Sequence, residues 1–322
     1  MSELNEKGNI LLKLLADGEF HSGEKIGQLL GVSRTSVNNY IKGLQGIGLD
    51  IYKLPGRGYC SASVISLLDE VKIRQLCGYE NIQVEQIVES TNQTLLDQIP
   101  ALENGQTCIA EYQLAGRGRR GRTWVSPFAS HLYFSFYWRF DSGIDKISGL
   151  SLLVGIATVN ALEKIGIPGV FLKWPNDLYY QGKKLAGILI ELTGQATADC
   201  HCVIGIGINI KMPPEQAKLI DQPWVDLDSL TSDNVDRNEL SATLIKELQH
   251  LLPAYEKNGL KPYLSRWFEL DCFLDKQVNL LIADKTTTGI CRGVNEQGAL
   301  LLETNGQIKT FIGGEISLRL AT

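Results

Sequence analysis

The sequence lacks the features of a secreted or membrane-spanning protein. Its seven cysteines are an odd number without the spacing of a disulfide framework, so we expect reduced thiols. The first twenty residues lack the uninterrupted apolar core of a secretory signal. The most apolar long stretch, residues 150–167, contains Ser, Thr and Asn and ends in charged residues, which predicts a buried helix. We therefore expect a cytoplasmic protein with no membrane partner.

The chain also lacks an excess of positive charge. Its 31 basic and 36 acidic residues give a formal net charge of −5, so any site for DNA or another anion must be local. There is no G-x-S-x-G motif for a serine nucleophile. Cys200, His201 and Cys202 lie in an alternating, β-branched stretch without further ligands at zinc spacing, which favours an ordinary strand over a metal site. At 322 residues the chain is expected to form several domains.

The first sixty residues have the pattern of a winged helix-turn-helix. Apolar residues at helical spacing predict three short helices, with Ser22 and Ser33 as N-caps and a turn at Gly31. A hairpin follows, with its turn at residues 55–58, and residues 33–60 carry four basic residues against one acidic residue. The residues predicted to contact DNA are Arg34, Thr35, Ser36, Asn38, Asn39, Lys42 and Arg57. The alternative is an interaction domain whose third helix is merely solvated.

An arginine- and glycine-rich stretch, AGRGRRGRTW, covers residues 115–124 and follows a strand predicted for residues 107–113. It matches the G-x-G-x-x-G pattern of a dinucleotide-binding turn, but that turn requires a helix directly afterwards, and Pro127 follows instead. An RNA-binding arm is a second alternative. Glycine amides and arginine forks favour a loop that closes over a ligand bearing a phosphate. The next segment, residues 131–140, alternates in polarity and predicts a half-buried strand.

Further polar residues stand at the ends of predicted strands. Residues 90–92, Ser-Thr-Asn, join a strand to a helix, and one of them is expected to cap that helix. The break at residues 173–177 offers an ammonium, an amide and a carboxylate; Asp177 could bind Mg²⁺, although an ordinary surface turn is the alternative. Lys184 begins the next strand, and Gly205 and Gly207 in the strand after it permit close approach of a ligand.

The chain contains, in order after the predicted helix-turn-helix, the motifs GRGRRG, KWPNDL and KKLAGILIE. With these motifs it resembles the bacterial biotin–[acetyl-CoA-carboxylase] ligase family in its bifunctional form, which is also the biotin operon repressor. The resemblance covers essentially the whole chain. It implies a multidomain α+β fold: a winged helix-turn-helix over residues 1–64, a mixed-sheet α+β ligase domain of class II synthetase type over residues 65–270, and an SH3-like β-barrel over residues 271–322.

The resemblance implies that biotin and ATP, with Mg²⁺, form biotinyl-5′-adenylate, which then acylates a lysine of the biotin carboxyl carrier protein of acetyl-CoA carboxylase. No tightly bound prosthetic group is expected. The implied catalytic residues are Lys184, Arg119 and Asp177. The implied biotin pocket is formed by Ser90, Thr91, Asn92, Gln113, Gly116, Arg117, Lys184, Gly187 and Gly205. The implied ATP and adenylate contacts are Arg117, Arg119, Arg120, Arg122, Lys173, Asn176, Met212 and Trp224, although two prolines and Glu215 depart from the family pattern near Met212.

The family repressor dimerises through exposed strand edges, and residues 188–194, ILIELTG, are a candidate edge here. Ligand binding is expected to promote the homodimer, and the dimer to bind operator DNA. Two other functions remain open at this point. A lipoate–protein ligase shares the catalytic fold, and a regulator could sense biotin without catalysis.

Overall fold

The computed structural model describes residues 6–141, 143, 147–194, 199–231, 234–282, 285–313 and 316–320. The chain begins with a winged helix-turn-helix, as the sequence predicts. Its elements are α1 (Glu6–Leu15), α2 (Gly23–Leu30), α3 (Arg34–Gly46), β1 (Ile51–Leu54) and β2 (Gly58–Ser61). The two strands pair antiparallel and form the wing.

The caps and the core explain why these residues fold into this unit. The side-chain hydroxyls of Ser22 and Ser33 accept hydrogen bonds from backbone N–H groups of the first turns of α2 and α3, which confirms both predicted N-caps. Gly31 ends α2 in the left-handed region, at φ 61°, a conformation that glycine adopts without strain. Val37, Ile41 and Leu44 of α3 are buried, whereas Thr35 and Lys42 of the same helix are exposed. The open face of α3 is therefore polar.

A mixed seven-stranded sheet forms the centre of the molecule. Its strands are β3 (Ile82–Val88), β4 (Thr107–Gln113), β5 (His131–Phe140), β6 (Phe171–Lys173), β7 (Asp177–Tyr180), β8 (Lys183–Gly194) and β9 (Cys200–Asn209). Their order is β3-β4-β5-β9-β8-β7-β6; β3 and β4 pair parallel, and the other neighbours pair antiparallel. The Cα atoms of β7 pair with β8 only from Lys183 to Gly187, so residues 189–194 have a strand partner on the β9 side alone among the described residues.

The prediction that residues 131–140 form a half-buried strand is wrong. Every residue of β5 except Arg139 is buried. Phe134 and Phe136 pack in the main core together with Leu153 of the following helix. The opposite, polar face is covered as well, because Tyr137 packs with Leu95 in a smaller cluster. The apolar side chains of β5 therefore lie in the main core, and its polar side chains lie in a second buried region instead of in solvent.

The helices of the central region are α4 (Glu70–Cys77), α5 (Thr91–Leu96), α6 (Leu150–Lys164), α7 (Pro214–Ala217), α8 (Arg237–Asn258) and α9 (Leu264–Leu270). The predicted helix near residues 149–165 is confirmed as α6, whose apolar residues join the main core. None of the described helices combines the length and apolar composition needed to cross a membrane.

A buried ion pair anchors the chain where it leaves the winged domain. Arg237 Nη2 lies 2.7 Å from Glu111 Oε2, and both side chains are almost completely buried. Arg237 also donates to the carbonyl of Ser66 at 2.5 Å, while Glu111 Oε1 accepts from the N–H of Leu68 at 2.6 Å. The bond from Glu111 satisfies the N–H of the buried Leu68, as a buried backbone group requires.

The C-terminal region is an antiparallel sheet. It contains β10 (Gln277–Ile282), β11 (Lys285–Val294), β12 (Leu300–Thr304), β13 (Gln307–Phe311) and β14 (Ile316–Leu320), in the order β13-β12-β11-β10-β14. The five strands agree with the predicted SH3-like unit. Within the residues that the structure describes, however, the outer strands β13 and β14 are not hydrogen-bonded to each other, so the barrel is not closed.

Candidate active site

A cleft of about 490 Å³ lies on the face of the central sheet opposite α6. Its lining comes from α5, the end of β4, the start of β5, the first half of β8, the middle of β9, the arginine-rich loop and Asn176. Most of the residues that the sequence assigns to biotin meet here: Ser90, Thr91, Asn92, Gln113, Arg117, Lys184, Gly187 and Gly205. Residues that are up to 115 positions apart in the chain, from Ser90 to Gly205, thus form one surface.

The polar floor of the cleft is an interconnected set of hydrogen bonds. Gln113 Oε1 accepts from the backbone N–H and the hydroxyl of Thr91 at 3.0 and 3.2 Å. Ser135 Oγ lies 2.7 Å from Thr91 Oγ1 and 2.5 Å from Asn92 Oδ1. Ser90 occupies the N-cap position of α5, but its side chain makes no capping bond. The expectation that one of residues 90–92 caps the helix is confirmed for the N-cap position of Ser90, and its hydroxyl, without a capping bond, lines the cleft.

Glycines are required in the floor of the cleft because other side chains pack directly against their Cα atoms. A Cβ on Gly207 would come within 2.5 Å of Cε2 of the Trp124 indole, and one on Gly205 would overlap Oδ1 of Asn92. Gly116 lies outside the cleft lining but supports it, because a Cβ there would lie 2.5 Å from Ser126 Oγ. Ser126 in turn accepts from Gln113 Nε2 at 3.2 Å. The sequence predicted that a ligand or backbone approaches this strand closely, whereas in the structure the groups that approach Gly205 and Gly207 are the side chains of Asn92 and Trp124.

The arginine-rich loop forms a tight hairpin. The N–H of Gly118 donates to Arg122 O at 2.7 Å, and the N–H of Trp124 donates to Gly116 O at 2.9 Å. The tip turns at Arg120 and Gly121, with φ of 63° and 69°, the region in which glycine is unstrained. No helix follows the loop, which agrees with the rejection of a dinucleotide-binding turn.

Two arginines of this hairpin point toward the cleft. Arg119 Nη1 donates to Asn176 Oδ1 at 2.7 Å, and Asn176 Nδ2 donates to the carbonyl of Ile188 at 2.9 Å. Burial lowers the pKa of the Arg119 guanidinium below its usual value, and the Asp177 carboxylate opposes that shift. Arg117 lies 3.0 Å from Glu191 Oε2 and donates to Gln93 Oε1 at 3.0 Å. Fixed cations thus stand at the mouth of a partly dry cleft, where charge interactions are stronger than in water.

Lys184 is the cation at the centre of the site. Its Nζ lies 2.8 Å from Asp177 Oδ1, and the side chains of the two residues are 15% and 18% exposed. The ammonium also lies 5.6 Å from the ring centre of Trp124. The carboxylate and the indole together hold a long, flexible side chain in one direction.

A second cavity, of about 800 Å³, adjoins the first. Its lining includes Arg122, Asn209, Met212 and Trp224. Backbone bonds between Lys184 and residues 223–225 position Trp224 here: Lys184 N–H donates to Pro223 O at 3.0 Å, and Val225 N–H to Lys184 O at 2.9 Å. The two prolines that depart from the family pattern, residues 213 and 214, begin the short helix α7.

Lys184 and Trp124 are the residues that line both cavities. Asp177 reaches the site through Lys184. Lys173 lies apart: its Nζ donates to the Tyr179 hydroxyl at 2.9 Å and is not among the residues that line either cavity. Arg120 is exposed at the hairpin tip.

Sequence reasoning missed three residues of the site. Trp124 ends the arginine-rich stretch and has no predicted role, Ser135 lies in a strand predicted to be half-buried, and Glu191 lies in a predicted edge strand. A buried serine opposite large aromatics in β5 is the signal that could have identified Ser135, because a buried hydroxyl requires a partner.

The predicted DNA-contacting residues are all at least partly exposed. Arg34, Thr35, Asn39, Lys42 and Arg57 are exposed, and Ser36 and Asn38 are partly exposed. Arg34 forms an exposed ion pair with Glu24 at 3.3 Å, and the Arg57 guanidinium lies 4.2 Å from the ring centre of Phe20. An exposed polar helix followed by a wing that carries Arg57 has the groups that suit a major groove and its flanking phosphates.

Comparisons with known proteins match each region of the chain. The model of the biotin/lipoate A/B protein ligase family matches residues 84–209, an HTH domain model matches residues 7–60, and the model of the biotin protein ligase C terminal domain matches residues 273–319. The chain is 50% identical over 311 residues to the bifunctional ligase/repressor BirA of Salmonella typhimurium and 49% identical to that of Escherichia coli, with 97% of each chain covered. The solved structure of the Aquifex aeolicus biotin protein ligase in complex with biotin and ATP is similar, with a TM-score of 0.65 and 30% identity, over 76% of this chain and 100% of that one.

Proposed function

The chain belongs to the biotin–protein ligase family in its bifunctional ligase/repressor form, and on that premise we propose how its two cavities carry out the reaction. The protein is an ATP-dependent biotin–protein ligase and a DNA-binding repressor. We divide it at residues 64 and 270 into a DNA-binding, a ligase and a C-terminal domain, and we place its activity in the cytoplasm.

The observation that carries the mechanism is the position of Lys184 between the two cavities. The first cavity has a polar floor suited to the fused ring of biotin. The second has apolar and aromatic walls, Met212 and Trp224, suited to adenine. If each ligand lies in its own cavity, the biotin carboxylate and the α-phosphate meet beside the Lys184 ammonium.

In the first step, a carboxylate oxygen of biotin attacks the α-phosphorus of ATP. The bond from that phosphorus to the bridging oxygen breaks, and pyrophosphate leaves with the electron pair. Two anions must approach each other, so cations fixed beforehand lower the barrier. Lys184 and Arg119 provide this charge, and Asp177 and Asn176 keep the two cations in place. Arg117 is close enough to the cleft to bind the carboxylate or the adenylate.

In the second step, the neutral amine of the carrier lysine attacks the acyl carbon of the adenylate, AMP leaves, and the amine loses a proton to form the amide. The mixed anhydride must survive until the carrier arrives. A hairpin carrying Arg117, Arg119, Arg120 and Arg122 over the two cavities would retain the adenylate and exclude water. We propose the biotin carboxyl carrier protein of acetyl-CoA carboxylase as the acceptor.

We propose that Mg²⁺ enters with the phosphates of ATP. Magnesium is commonly bound by one or two carboxylates, water and substrate phosphates. Asp177 is the predicted ligand, but its carboxylate is already 2.8 Å from Lys184, and the described residues contain no group of three His, Cys, Asp or Glu side chains that could hold a metal. The proposed steps therefore assign the Asp177 carboxylate to holding the Lys184 ammonium, and no bond change is assigned to a metal bound by the protein.

The repressor function requires the exposed face of α3 and, for a two-fold operator, two copies of the chain. We propose that residues 189–194, which have a strand partner on one side only among the described residues, form the edge at which a second copy pairs. Because Arg117 contacts Glu191 in that segment, binding of the adenylate could favour pairing. Sedimentation measurements should show greater self-association when biotinyl-adenylate is added, and no change would rule out the coupling.

The ligase function is tested by adding biotin, Mg·ATP and a purified carrier domain to the protein. The expected result is biotin on the carrier lysine, with release of pyrophosphate and AMP. Lipoate should compete poorly with biotin in the same assay. Preferential transfer of lipoate would point to the related ligase reaction, and biotin binding without pyrophosphate release would leave a regulator that only senses biotin.

A further inference from the structure

Glu191 connects the floor of the first cavity to the arginine-rich hairpin. Its Oε2 accepts from Asn92 Nδ2 at 2.8 Å and from Arg117 Nη2 at 3.0 Å. The side chain is 30% exposed, and it lies on the same face of β8 as Gly187 and Leu189. Glu191 thus contacts both the floor of the first cavity, at Asn92, and the arginine-rich hairpin, at Arg117, which an ordinary surface glutamate does not.

The hydrogen bonds of Asn92 determine which way its amide points. Nδ2 has two hydrogens, and it donates to Glu191 and to the backbone carbonyl of Leu189, the latter at 3.3 Å. Oδ1 accepts from the Ser135 hydroxyl at 2.5 Å and lies over Gly205. Because both amide hydrogens are used within the protein, the group that Asn92 can offer to a ligand is the remaining lone pair of its oxygen.

We propose that Glu191 is a positioning residue that keeps Asn92 oriented as an acceptor for an N–H group of the ureido ring. This inference rests on the proposed function, because it takes biotin as the occupant of the first cavity. Without an acceptor at position 191, the Asn92 amide could rotate and present its NH₂ group to the N–H of the ligand. Two donors would then face each other, and biotin would bind more weakly while the reacting groups at Lys184 stayed in place.

Two substitutions separate this role from that of the ion pair. In Glu191→Ala, both contacts are lost. In Glu191→Gln, the amide oxygen can replace Oε2, which accepts from both Asn92 and Arg117, but the negative charge is gone, and so is the bond that Oε1 accepts from Arg117 at 3.1 Å. Because both variants lack the charge, a difference between them reports the hydrogen bonds that Oε2 accepts and not the charge. Glu163→Ala is the matched control, because Glu163 is 39% exposed and pairs with an arginine, Arg266, on the other side of the sheet.

The experiment measures the dissociation constant of biotin by calorimetry and the kinetics of biotin-dependent ATP–pyrophosphate exchange. We expect Glu191→Ala to raise the biotin dissociation constant and KM about tenfold, the usual scale for losing a hydrogen bond to a charged group. Its kcat and its KM for ATP should stay within about twofold, and Glu191→Gln should restore most of the biotin affinity if an oxygen acceptor suffices.

Three results would overturn the proposal. Equal losses in Glu191→Ala and Glu191→Gln would assign the effect to charge, a fall in kcat alone would place Glu191 in the chemical step, and unchanged biotin affinity in Glu191→Ala would leave it without a role. If the unaltered protein bound no biotin at all, the proposed function itself would fail, and this inference with it.

Discussion

Lys184 Nζ and Asp177 Oδ1 are 2.8 Å apart, on adjacent strands at the border of the two cavities. Both side chains are largely shielded from solvent, so the pair is stronger and more constrained than a surface ion pair. The carboxylate holds the ammonium where the carboxylate of biotin and the α-phosphate of ATP would meet. Asp177 therefore acts on the reaction through the position of Lys184.

Asp177→Asn tests this relationship. Loss of the counter-charge should leave biotin binding nearly unchanged and lower the rate of adenylate formation by about tenfold to a hundredfold, the scale associated with a misplaced reactive group. The measurement is single-turnover adenylate formation over a range of Mg²⁺ concentrations. A rate that excess Mg²⁺ restores would instead support the sequence-based prediction that Asp177 binds the metal.

Arg119→Ala should weaken retention of the adenylate. The substitution removes a guanidinium that Asn176 holds at 2.7 Å, and loss of hydrogen bonds to a charged group corresponds to roughly tenfold to hundredfold faster release. The reactive adenylate would then label lysines on a bystander protein that has no carrier domain. Arg139→Ala is the control, because Arg139 is 50% exposed and pairs with Asp141 at the far end of β5. Bystander labelling equal to that of the unaltered protein would contradict the role of the hairpin as a lid.

Gly207→Ala should damage the site more than Gly187→Ala. The added Cβ would lie 2.5 Å from the Trp124 indole at position 207, but 3.2 Å from it at position 187. Since Trp124 lines both cavities, its displacement should weaken biotin and ATP binding by about tenfold or more, the consequence of a steric clash of roughly 1–3 kcal/mol. Calorimetric titration of each ligand against both variants tests this order, which equal affinities in the two would refute.

The buried His131 is expected to make the free energy of unfolding depend on pH. Burial lowers its pKa to about 4, and its Nδ1 accepts from the N–H of Ile210 at 3.0 Å, as a neutral imidazole can. The unfolded chain takes up the proton below its ordinary pKa of 6.5, whereas the folded chain does so only near pH 4. The stabilisation is therefore complete above pH 6.5 and is lost as the pH falls through 4, with a total on the order of 3 kcal/mol.

The variant that tests it is His131→Asn, whose amide oxygen can still accept from Ile210. Urea unfolding between pH 7.5 and pH 4.5 should show a smaller loss of stability on acidification in this variant than in the unaltered protein. Burial raises the pKa of Asp271 to about 6, so that group favours folding at low pH and loses its contribution as the pH rises through 6. Asp271 is present in both proteins, so its opposite slope cancels in the comparison. Identical slopes would mean that His131 is not the group responsible.

Local patterns in the sequence predicted the positions of helices and strands better than they predicted which faces of those elements are buried. The N-caps at Ser22 and Ser33, strand β4 and helix α6 follow from hydrogen-bonding side chains and apolar spacing within a few residues. The burial of β5 on both faces does not, because alternation in polarity is the same whether the polar face meets water or a cleft. The open edge between β13 and β14 depends on contacts across the sheet, which no local pattern specifies.

The same contrast holds for the candidate site: motifs predict which residues belong to it but not which side chains contact each other. Motifs indicated Arg119, Asp177 and Lys184, since glycine-rich turns and strand ends carry clustered polar residues. The ion-pair partner of each residue could not be predicted from sequence spacing. Asp177 pairs with Lys184, and Glu191 pairs with Arg117. Trp124 was missed for a similar reason, because the glycines beneath it, Gly187 and Gly207, lie on two strands more than sixty residues later in the chain.

Biotin-dependent ATP–pyrophosphate exchange in Lys184→Gln is the most direct test of the site. Lys184 lies where the two cavities join, so the substitution should reduce exchange by about a hundredfold to a thousandfold, as for removal of a group that stabilises developing charge. Biotin and ATP should each still bind, because the rest of each cavity is intact. Exchange at a near-normal rate in Lys184→Gln would contradict the assignment of the reaction to this junction.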